Sequence, residues 1–326
     1  MYMNSNVKKI GVLTSGGDAP GMNAAIRAVV RTACYYGLEA VGVTRGYNGL
    51  INGEFIDMDA RSVGETLQRG GTILQTARCL EFKEKEGVEK AASVAKAKGI
   101  DALVVIGGDG SFRGAKDLCM AGVPTVAIPG TIDNDISCSD YTVGYDTCLN
   151  TVIEAIDKLR DTSSSHDRCS VIEVMGRNAG YIAINAGIAC GAEIVLIPER
   201  KWDFDEDVLK PILAGKQRGK KHYIVIVAEG IGGVENLAKE IEKSTGIETR
   251  ATILGHIQRG GSPTVRDRVI ASQMGSKAVE LLLEGKANRI ICMKDNQITD
   301  VDILEGLSMK KTVSEDLVQL AKKLSV

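Results

Sequence analysis

Short apolar runs that end in glycine-containing loops recur along the chain and constrain its fold more than any other feature. Each run reads as a buried strand feeding a loop, and the six runs are Ile10 to Leu13, Leu103 to Ile106, Val126 to Ile128, Val171 to Met175, Tyr223 to Ala228 and Ala251 to Leu254. Helical apolar stripes lie between the runs, and the first comprises Met22, Ile26, Val29, Val30 and Ala33. The alternation of strand and helix predicts α/β sheets that are mainly parallel, with ligands bound at the carboxyl ends of the strands.

Composition narrows the class of protein. The 326 residues are 44% hydrophobic and 25% charged, which is typical of a globular chain of roughly two domains. With 40 basic and 42 acidic residues there is no general positive field, so we expect neither a nucleic-acid nor a membrane partner. The start of the chain lacks a signal-peptide pattern and no long apolar run follows, so we expect a cytoplasmic protein. Eight cysteines without a C-x-x-C pair, beside three histidines, argue against zinc and against a disulfide framework.

The glycine loops favour phosphate as the ligand. Ser15-Gly-Gly-Asp18 and Gly107-Gly-Asp-Gly110 repeat one arrangement of strand, double glycine and aspartate, and could form two walls of one site. Glycines let backbone N–H groups approach an anion, and a following helix N-terminus adds its positive dipole end. No P-loop is present, and GGDGSFRG carries Arg113 where the dinucleotide fingerprint requires glycine. Asp109 is either a magnesium ligand or a turn-capping aspartate. The polar segment from Asp161 to Asp167 is predicted to be a short ordered loop.

PGTIDNDI, residues 129–136, places two carboxylates beside a predicted strand end. If the chain stays extended there, Asp133 and Asp135 share one face and repel unless a cation separates them. Asp-Asn-Asp is also ordinary turn composition, so a turn and an active site remain alternatives. Five arginines follow strand ends or loops, namely Arg78, Arg168, Arg177, Arg250 and Arg259. Each alone reads as a solvated surface charge, but together they predict a phosphate-rich site in which one aspartate takes a proton from an attacking hydroxyl.

These motifs together resemble the bacterial ATP-dependent 6-phosphofructokinases over essentially the whole chain. The matching segments are GVLTSGGDAPGMNAAIR, RGGTIL, LVVIGGDGS, PGTIDND, RDTSSSH, VIEVMGR, RGKKH and LGHIQRGGSP. The resemblance implies two doubly wound α/β domains with the active site in the cleft between them. It assigns residues 1–144 plus 258–308 to ATP and residues 145–257 plus 309–326 to fructose 6-phosphate. It also implies a homotetramer and Mg²⁺-dependent phosphorylation of the sugar C1 hydroxyl to give fructose 1,6-bisphosphate in glycolysis.

Site residues follow from the same resemblance, position by position. Asp133 is implied as the general base, and the other catalytic positions are Thr131, Asp135, Arg78 and Arg177. The positions that match ATP contacts are Gly17, Arg78, Cys79, Gly108, Asp109, Gly110 and Ser111, with Asp109 assigned to magnesium. The positions that match sugar-phosphate contacts are Thr131, Asp133, Arg168, Met175, Gly176, Arg177, Glu229, Arg250, His256 and Arg259. Among these, Arg168 and Arg250 match positions that reach in from a neighbouring subunit.

An effector site for ADP as activator or phosphoenolpyruvate as inhibitor is implied as well. Its positions are Arg27, Arg31, Arg160, Glu193, Arg218, Lys220, Lys221 and His222. Arg27 and Arg31 lie four residues apart, opposite the apolar stripe, so they can face one anion. The stretch from Met58 to Val63 departs from some relatives at Ala60 and Arg61, which leaves effector preference open. Without the resemblance, residues 218–222 would read as a solvated charge run.

Three alternative functions are weighed against an ATP-dependent enzyme. Pyrophosphate-using relatives carry aspartate and lysine at the positions of Gly110 and Gly130, so the two glycines favour ATP. NAD kinases and related lipid kinases share a Gly-Gly-Asp-Gly segment but should lack Met175-Gly-Arg and His256-Ile-Gln-Arg. A non-catalytic sensor on the same fold could lose its base, whereas Asp133, Asp109 and Arg78 are all present.

Overall fold

The computed structural model of the chain describes residues 7–325, which form two compact units. Unit 1 comprises the described residues through Ile132, Ile136–Thr147 and Arg259–Lys311, and unit 2 comprises Asp133–Asp135, Cys148–Gln258 and the residues from Thr312 onward. The predicted lack of a signal peptide concerns the start of the chain, and residues 1–6 lie outside the described range, as does residue 326 at the predicted end of the second domain.

Eleven strands form two sheets within the described residues. The strands are β1 Lys9–Thr14, β2 Glu39–Val43, β3 Phe55–Met58, β4 Ala102–Gly107, β5 Thr125–Pro129, β6 Cys169–Val174, β7 Ile194–Leu196, β8 Tyr223–Ala228, β9 Thr249–Ile253, β10 Arg289–Lys294 and β11 Gln297–Asp302. All six strands predicted from the glycine-terminated runs are confirmed, although β6 and β9 each end one residue earlier than predicted.

Unit 1 holds a seven-stranded sheet in the order β11-β10-β5-β4-β1-β2-β3. Its central pairs are parallel, and only the two edge strands, β3 and β11, run antiparallel to their neighbours. From β1 the chain passes to β2 on one side and later returns to β4 on the other. The carboxyl ends of β1 and β4 therefore flank the point where strand order reverses, which is where open α/β sheets bind their ligands.

Unit 2 holds a four-stranded, all-parallel sheet in the order β7-β8-β6-β9. The strand β8 is buried at every position, as expected of a central strand covered on both faces. The predicted fold class, α/β with mainly parallel sheets, is confirmed in both units.

Eleven α-helices connect or cover these strands in the described chain. They are α1 Met22–Tyr35, α2 Gly46–Asn52, α3 Lys85–Ala97, α4 Asp109–Met120, α5 Tyr145–Ser165, α6 Tyr181–Cys190, α7 Lys210–Gln217, α8 Val234–Thr245, α9 Val265–Leu283, α10 Ile303–Ser308 and α11 Glu315–Leu324. Among residues 7–325, no helix is both long and apolar enough to cross a bilayer.

The predicted loop from Asp161 to Asp167 is wrong over most of its length, because α5 continues through Ser165. The hydroxyls of Ser164 and Ser165 donate to the Asp161 carbonyl one turn earlier, so these serines bond within the helix rather than leaving it. Ser163 is buried against Ser170, which ties the last turn of α5 to β6. Tertiary contact thus overrides the weak helix propensity of the serine run.

Candidate active site

The loops after β1 and β4 lie side by side in unit 1. Thr14 and Ile106 are register partners, and the Ser15 N–H donates to the Ile106 carbonyl at 2.9 Å. A Cβ atom on Gly107 would stand 2.4 Å from the Ser15 carbonyl oxygen, so this close approach requires glycine. The two strand, double-glycine, aspartate arrangements are thus neighbours at the carboxyl edge of the sheet.

The loop after β4 continues into the N-terminus of α4. Asp109 is the first residue of that helix, and Gly108 precedes it in extended conformation without a side-chain cap. Cβ atoms built on Gly108 and Gly110 would meet nothing within 4 Å, so the backbone here faces open space. Uncapped N–H groups at a helix start bind anions. Ser111 is buried, and its carbonyl accepts the Tyr47 hydroxyl.

The donor set at this helix start fits magnesium. Mg²⁺ keeps several waters and takes one or two carboxylates together with phosphate oxygens, rather than a cage of protein ligands. Asp109 is half-buried at the edge of the open space, and residues 7–325 contain no cluster of three metal-binding side chains. A single carboxylate at an uncapped helix start is compatible with this mode of binding.

A third segment, residues 69–79, is tied to the first loop by hydrogen bonds. Asn23, which is buried on α1, donates to the Arg69 carbonyl at 3.0 Å and accepts from the Ile73 N–H at 2.7 Å. The Thr76 hydroxyl donates to the Gly16 carbonyl at 2.7 Å. This pinning places Arg78 exposed, while Cys79 packs against the core of unit 1. The sequence did not single out Asn23, although it lies within the matched segment GMNAAIR.

Arg259 lies against the first glycine loop. Its Nη1 donates to the Asp18 carbonyl at 3.2 Å, and a Cβ on Gly17 would come within 2.5 Å of the same nitrogen. A side chain at position 17 would therefore displace the guanidinium. The contact spans 241 residues of sequence, and it brings an arginine predicted for the sugar phosphate to the loop predicted for ATP.

The stretch PGTIDND forms a turn at the end of β5, which runs beside β4 in the sheet. Residues 132 and 133 are in turn conformation and Asn134 adopts a left-handed backbone with φ 51°, so the extended arrangement considered from the sequence is wrong. Asp133 is nonetheless only 6% exposed, and Thr131 is also buried. Turn and buried carboxylate coexist here, and a buried carboxylate is uncommon outside functional or paired settings.

The predicted sugar-phosphate residues of unit 2 gather at the ends of three neighbouring strands. Met175, Gly176 and Arg177 follow β6, Glu229 follows β8, and His256 follows β9. The Glu229 N–H donates to the Val174 carbonyl at 2.8 Å, which locks the first two loops together. His256 and Arg177 are exposed, while Met175 is buried.

Glu229 also holds the turn that carries Arg177. One carboxylate oxygen accepts from the N–H groups of both Gly176 and Arg177. Both residues have positive φ, 140° and 58°, and a Cβ on Gly176 would clash with the Ala179 carbonyl at 2.4 Å. The Arg177 backbone is thus held in a conformation that non-glycine residues rarely adopt.

Gln258 is a residue of this region that the sequence reasoning missed. It is fully buried, its Oε1 accepts from the Met175 N–H at 3.0 Å and its Nε2 donates to the Gly255 carbonyl at 3.0 Å. It thereby joins the loop after β6 to the loop after β9. The motif His-Ile-Gln-Arg contains it, but only the charged members drew attention.

Two further arginines share one carboxylate. Arg168 and Arg250 approach Glu248 at 2.8 Å and 2.6 Å. Arg168 directly precedes β6 and Arg250 lies in the neighbouring β9, at the opposite end from the loops above. Hydrogen bonds from Arg168 and, to a smaller extent, from Arg250 lower the pKa of Glu248.

The predicted catalytic residue Asp135 lies near the phenol of Tyr181. Burial raises the pKa of Tyr181 to about 12, and the charges of Glu199 and then Asp135 add to the rise.

The predicted effector residues divide between the units. Arg27 and Arg31 lie on α1 in unit 1, and burial followed by the charge of Arg31 lowers the pKa of Arg27. Arg31 donates to the Ala60 carbonyl at 3.3 Å, within the stretch that departs from some relatives. The other predicted effector residues all belong to unit 2, and they are Arg160, Glu193, Arg218, Lys220, Lys221 and His222.

Within unit 2, Glu193 connects several of these effector residues to the fold. Its carboxylate pairs with Lys220 and accepts from the Ile224 N–H at 2.6 Å. Arg160 donates to the Cys190 carbonyl, which lies a few residues before Glu193. Lys221 approaches Asp167 at 3.8 Å.

Comparison with known proteins agrees with this arrangement. Residues 9–282 match the phosphofructokinase family. The chain is 62% identical to ATP-dependent 6-phosphofructokinase 1 of Clostridium perfringens and 59% identical to ATP-dependent 6-phosphofructokinase of Clostridium botulinum, covering 98% of this chain and 100% of each relative.

Solved structures agree as well. Phosphofructokinase of Saccharomyces cerevisiae superimposes with a TM-score of 0.88 at 34% identity over 98% of this chain, which spans 48% of the yeast chain. A pyrophosphate-dependent phosphofructokinase of Marinobacter aquaeolei superimposes at 0.84 with 20% identity over 98% of this chain and 92% of the other, which indicates a shared fold. The chain belongs to the phosphofructokinase family.

Proposed function

We propose that this protein is an ATP-dependent 6-phosphofructokinase, which transfers the γ-phosphoryl group of ATP to the C1 hydroxyl of fructose 6-phosphate. The observation that carries the proposal is the buried carboxylate of Asp133, which lies in a turn after β5. β5 pairs with β4, and the glycine loop after β4 leads into the start of α4. A carboxylate shielded from water and a backbone that can bind phosphate are the two elements that phosphoryl transfer to an alcohol requires.

Each residue of the proposed site has a separate role in phosphoryl transfer. Asp133 accepts the proton of the C1 hydroxyl as the C1 oxygen attacks the γ-phosphorus; the bond between the γ-phosphorus and the β,γ-bridging oxygen breaks, and ADP leaves. The N–H groups around Gly108 and Gly110 hold the phosphates, while Arg78 and Arg177 neutralise charge that develops on the transferred group. Asp109 would hold Mg²⁺, which would supply positive charge to offset that of the phosphates. Thr131 and Asp135 flank the base and orient the sugar.

We assign ATP to unit 1 and fructose 6-phosphate mainly to unit 2. Gly17, Cys79 and Ser111 complete the nucleotide contacts. Met175, Gly176, Glu229, His256 and Arg259 contact the sugar phosphate, and Arg168 and Arg250 serve the same ligand from a neighbouring subunit of a homotetramer. The assignments within one subunit rest on the clustering of the loops at the strand ends of each unit, whereas those of Arg168 and Arg250 rest on the family resemblance, because these two arginines lie at the opposite end from the loops.

ATP is favoured over pyrophosphate as donor by the two glycines at positions 110 and 130. Space is open around Gly110, whereas a Cβ on Gly130 would come within 2.9 Å of Ile106. Full-length similarity to enzymes named as ATP-dependent supports the same choice. The sensor alternative is disfavoured because the base, the metal ligand and the charged residues are all retained.

Incubation with γ-labelled ATP, Mg²⁺ and fructose 6-phosphate tests the proposal. We expect label at C1 of fructose 1,6-bisphosphate, dependence on Mg²⁺ that EDTA abolishes, and much slower transfer to glucose 6-phosphate. Binding of ATP and sugar phosphate without transfer would instead support the sensor function.

Glu229 offers a prediction on the sugar-phosphate side. Glu229→Ala removes the acceptor of the Gly176 and Arg177 N–H groups, so the turn relaxes and KM for fructose 6-phosphate is expected to rise about 10-fold or more. Glu229→Gln keeps an acceptor oxygen and should lose less. Steady-state kinetics with Glu235→Ala, an exposed glutamate on α8, provide the matched control. An unchanged KM in Glu229→Ala would contradict the assignment.

We also propose that ADP and phosphoenolpyruvate act as effectors at the set containing Arg27, Arg31 and Glu193. Glu193→Gln is a more specific test than Glu193→Ala, because glutamine removes the charge but can still accept from the Ile224 N–H. We expect the variant to shift the ADP and phosphoenolpyruvate response curves by several-fold, and more than it changes basal turnover. Response curves that coincide with those of the wild type would count against this mapping.

A further inference from the structure

Asp267, on the first turn of α9, is a fully buried carboxylate to which none of the sequence motifs drew attention. Its Oδ1 accepts from the Tyr141 hydroxyl at 2.6 Å and from the Gly144 N–H at 2.8 Å. Its Oδ2 accepts from the Thr147 N–H at 2.9 Å and from the Thr147 hydroxyl. All four donors belong to residues 141–147, about 120 residues earlier in the chain.

This segment is the start of α5, and Asp267 caps it from outside. Gly144 and Thr147 lie at the first turn, where backbone N–H groups have no partner within the helix. A carboxylate placed there satisfies two of them and is favoured by the helix dipole. The Thr264 N–H also donates to the Thr147 hydroxyl at 3.0 Å, so the start of α9 and the start of α5 are joined at more than one point.

The same segment is bonded directly to the end of β5. The Thr142 hydroxyl donates to the Thr131 carbonyl at 2.6 Å, and the Val143 N–H donates to the Pro129 carbonyl at 2.8 Å. Gly130 and Val143 form an isolated parallel bridge. The backbone that leads into Asp133 is therefore supported on one side by residues 142 and 143, whose own position depends on Asp267.

We propose that Asp267 is a positioning residue of the phosphoryl-transfer reaction, acting through residues 141–147 on the backbone of Thr131 and hence on the base Asp133. The inference rests on the proposed function. Asp267 is not itself a substrate contact. Its effect reaches the site through the hydrogen bond that it accepts from Tyr141, the bond from Thr142 to the Thr131 carbonyl, and the turn that carries Asp133. Displacement of a catalytic group by about 1 Å can slow a reaction by about 10²-fold.

Asparagine cannot replace Asp267 in this role. Each carboxylate oxygen accepts from a backbone N–H, which cannot be turned into an acceptor. Whichever way the amide is placed, its NH₂ group faces one of these donors. Asp267→Asn therefore breaks the cap at one end without changing the size of the side chain.

Thr142 provides the second and milder variant. Thr142→Ala deletes the bond to the Thr131 carbonyl, and Thr142→Ser keeps the hydroxyl. Thr125→Ala is the matched control, because the Thr125 hydroxyl is equally buried on β5 and donates to the Ala115 carbonyl at 2.8 Å. Both alanine variants lose one buried hydrogen bond, but only one of the lost bonds supports the turn that carries Asp133.

The test compares kcat, KM and thermal stability for the four single variants, one double variant and the wild type. We expect Thr142→Ala and Asp267→Asn to lower kcat by about 10- to 100-fold while KM for ATP stays within about threefold. Thr142→Ser should recover most of the loss. Thr125→Ala should lower the melting temperature as Thr142→Ala does and keep kcat within about twofold. The Asp267→Asn, Thr142→Ala double variant should lose less than the product of the single losses, because both changes act on one connection.

A purely structural role predicts a different pattern. If Thr142→Ala keeps the kcat of the wild type, or falls no further than Thr125→Ala, the positioning role is overturned, even where Asp267→Asn fails to fold. A wild-type protein that forms no fructose 1,6-bisphosphate would overturn the proposed function together with this inference. Normal wild-type turnover with an unaffected Thr142→Ala variant would overturn this inference alone.

Discussion

Replacement of Asp133 by asparagine is expected to lower kcat by about 10²- to 10⁴-fold, or about 2.7 to 5.5 kcal/mol of barrier. Asparagine keeps the size of the side chain but cannot accept the proton of the C1 hydroxyl. Because Asp133 is buried, bulk solvent has little access to take over the role of the base. KM for fructose 6-phosphate should change little, since the sugar phosphate is bound chiefly by other residues.

The control for this variant is Asp140→Asn. Asp140 is exposed a few residues further along the same segment, and the Asp295 N–H donates to its Oδ2 at 3.1 Å, an acceptor that asparagine can keep. Turnover of the control should stay within about twofold of the wild type. Steady-state kinetics of both variants decide the matter, and a kcat of Asp133→Asn near that of the control would remove Asp133 from the role of base.

The second large effect is expected from Gly110→Asp. Position 110 lies in the first turn of α4 with open space around it, so an aspartate is accommodated and favoured by the helix dipole. The new carboxylate would compete with the ATP phosphates for the same N–H groups and repel their charge. We expect kcat/KM for ATP to fall about 100-fold or more, equivalent to about 2.7 kcal/mol.

Gly110→Asn separates charge from bulk in that experiment. Its side chain matches aspartate in size but is neutral, so it should retain at least about tenfold more activity with ATP than Gly110→Asp. Equal losses in the two variants would mean that steric filling, and not charge, decides donor use. Gly130→Lys is less informative, because a side chain there meets Ile106 and Met22 and would disturb packing.

The strands followed by glycine loops could be predicted because burial and loop chemistry act together in a few consecutive residues. The strand β10, with sequence RIICMK, was missed because no glycine loop follows it. The edge strands β3 and β11 were missed because neither forms a continuous apolar run that ends in a glycine loop: FIDM is interrupted by Asp57, and QITDVD mixes polar and apolar residues. Pairing with β2 and β10 makes them strands. Strand propensity depends on neighbours more than on the residues themselves.

The candidate site also has some features that could be predicted from neighbouring residues in the sequence and others that could not. The glycines and Asp109 lie within a few residues of one another, so their chemistry could be read locally. The burial of Asp133, the contact of Arg259 with Asp18 and the role of Asp267 all depend on partners far away in the sequence. At Asp133 the sequence could not distinguish a turn from an active site, because turns and catalytic sites use the same residue types. Only the structure shows that this turn is buried.

The central claim is tested most directly by the rate of fructose 1,6-bisphosphate formation from fructose 6-phosphate and Mg²⁺, with ATP and pyrophosphate compared as donors in parallel. We predict product with ATP and none with pyrophosphate. Turnover with pyrophosphate would contradict the donor assignment made from Gly110 and Gly130, and absence of product with either donor would contradict the proposed activity itself.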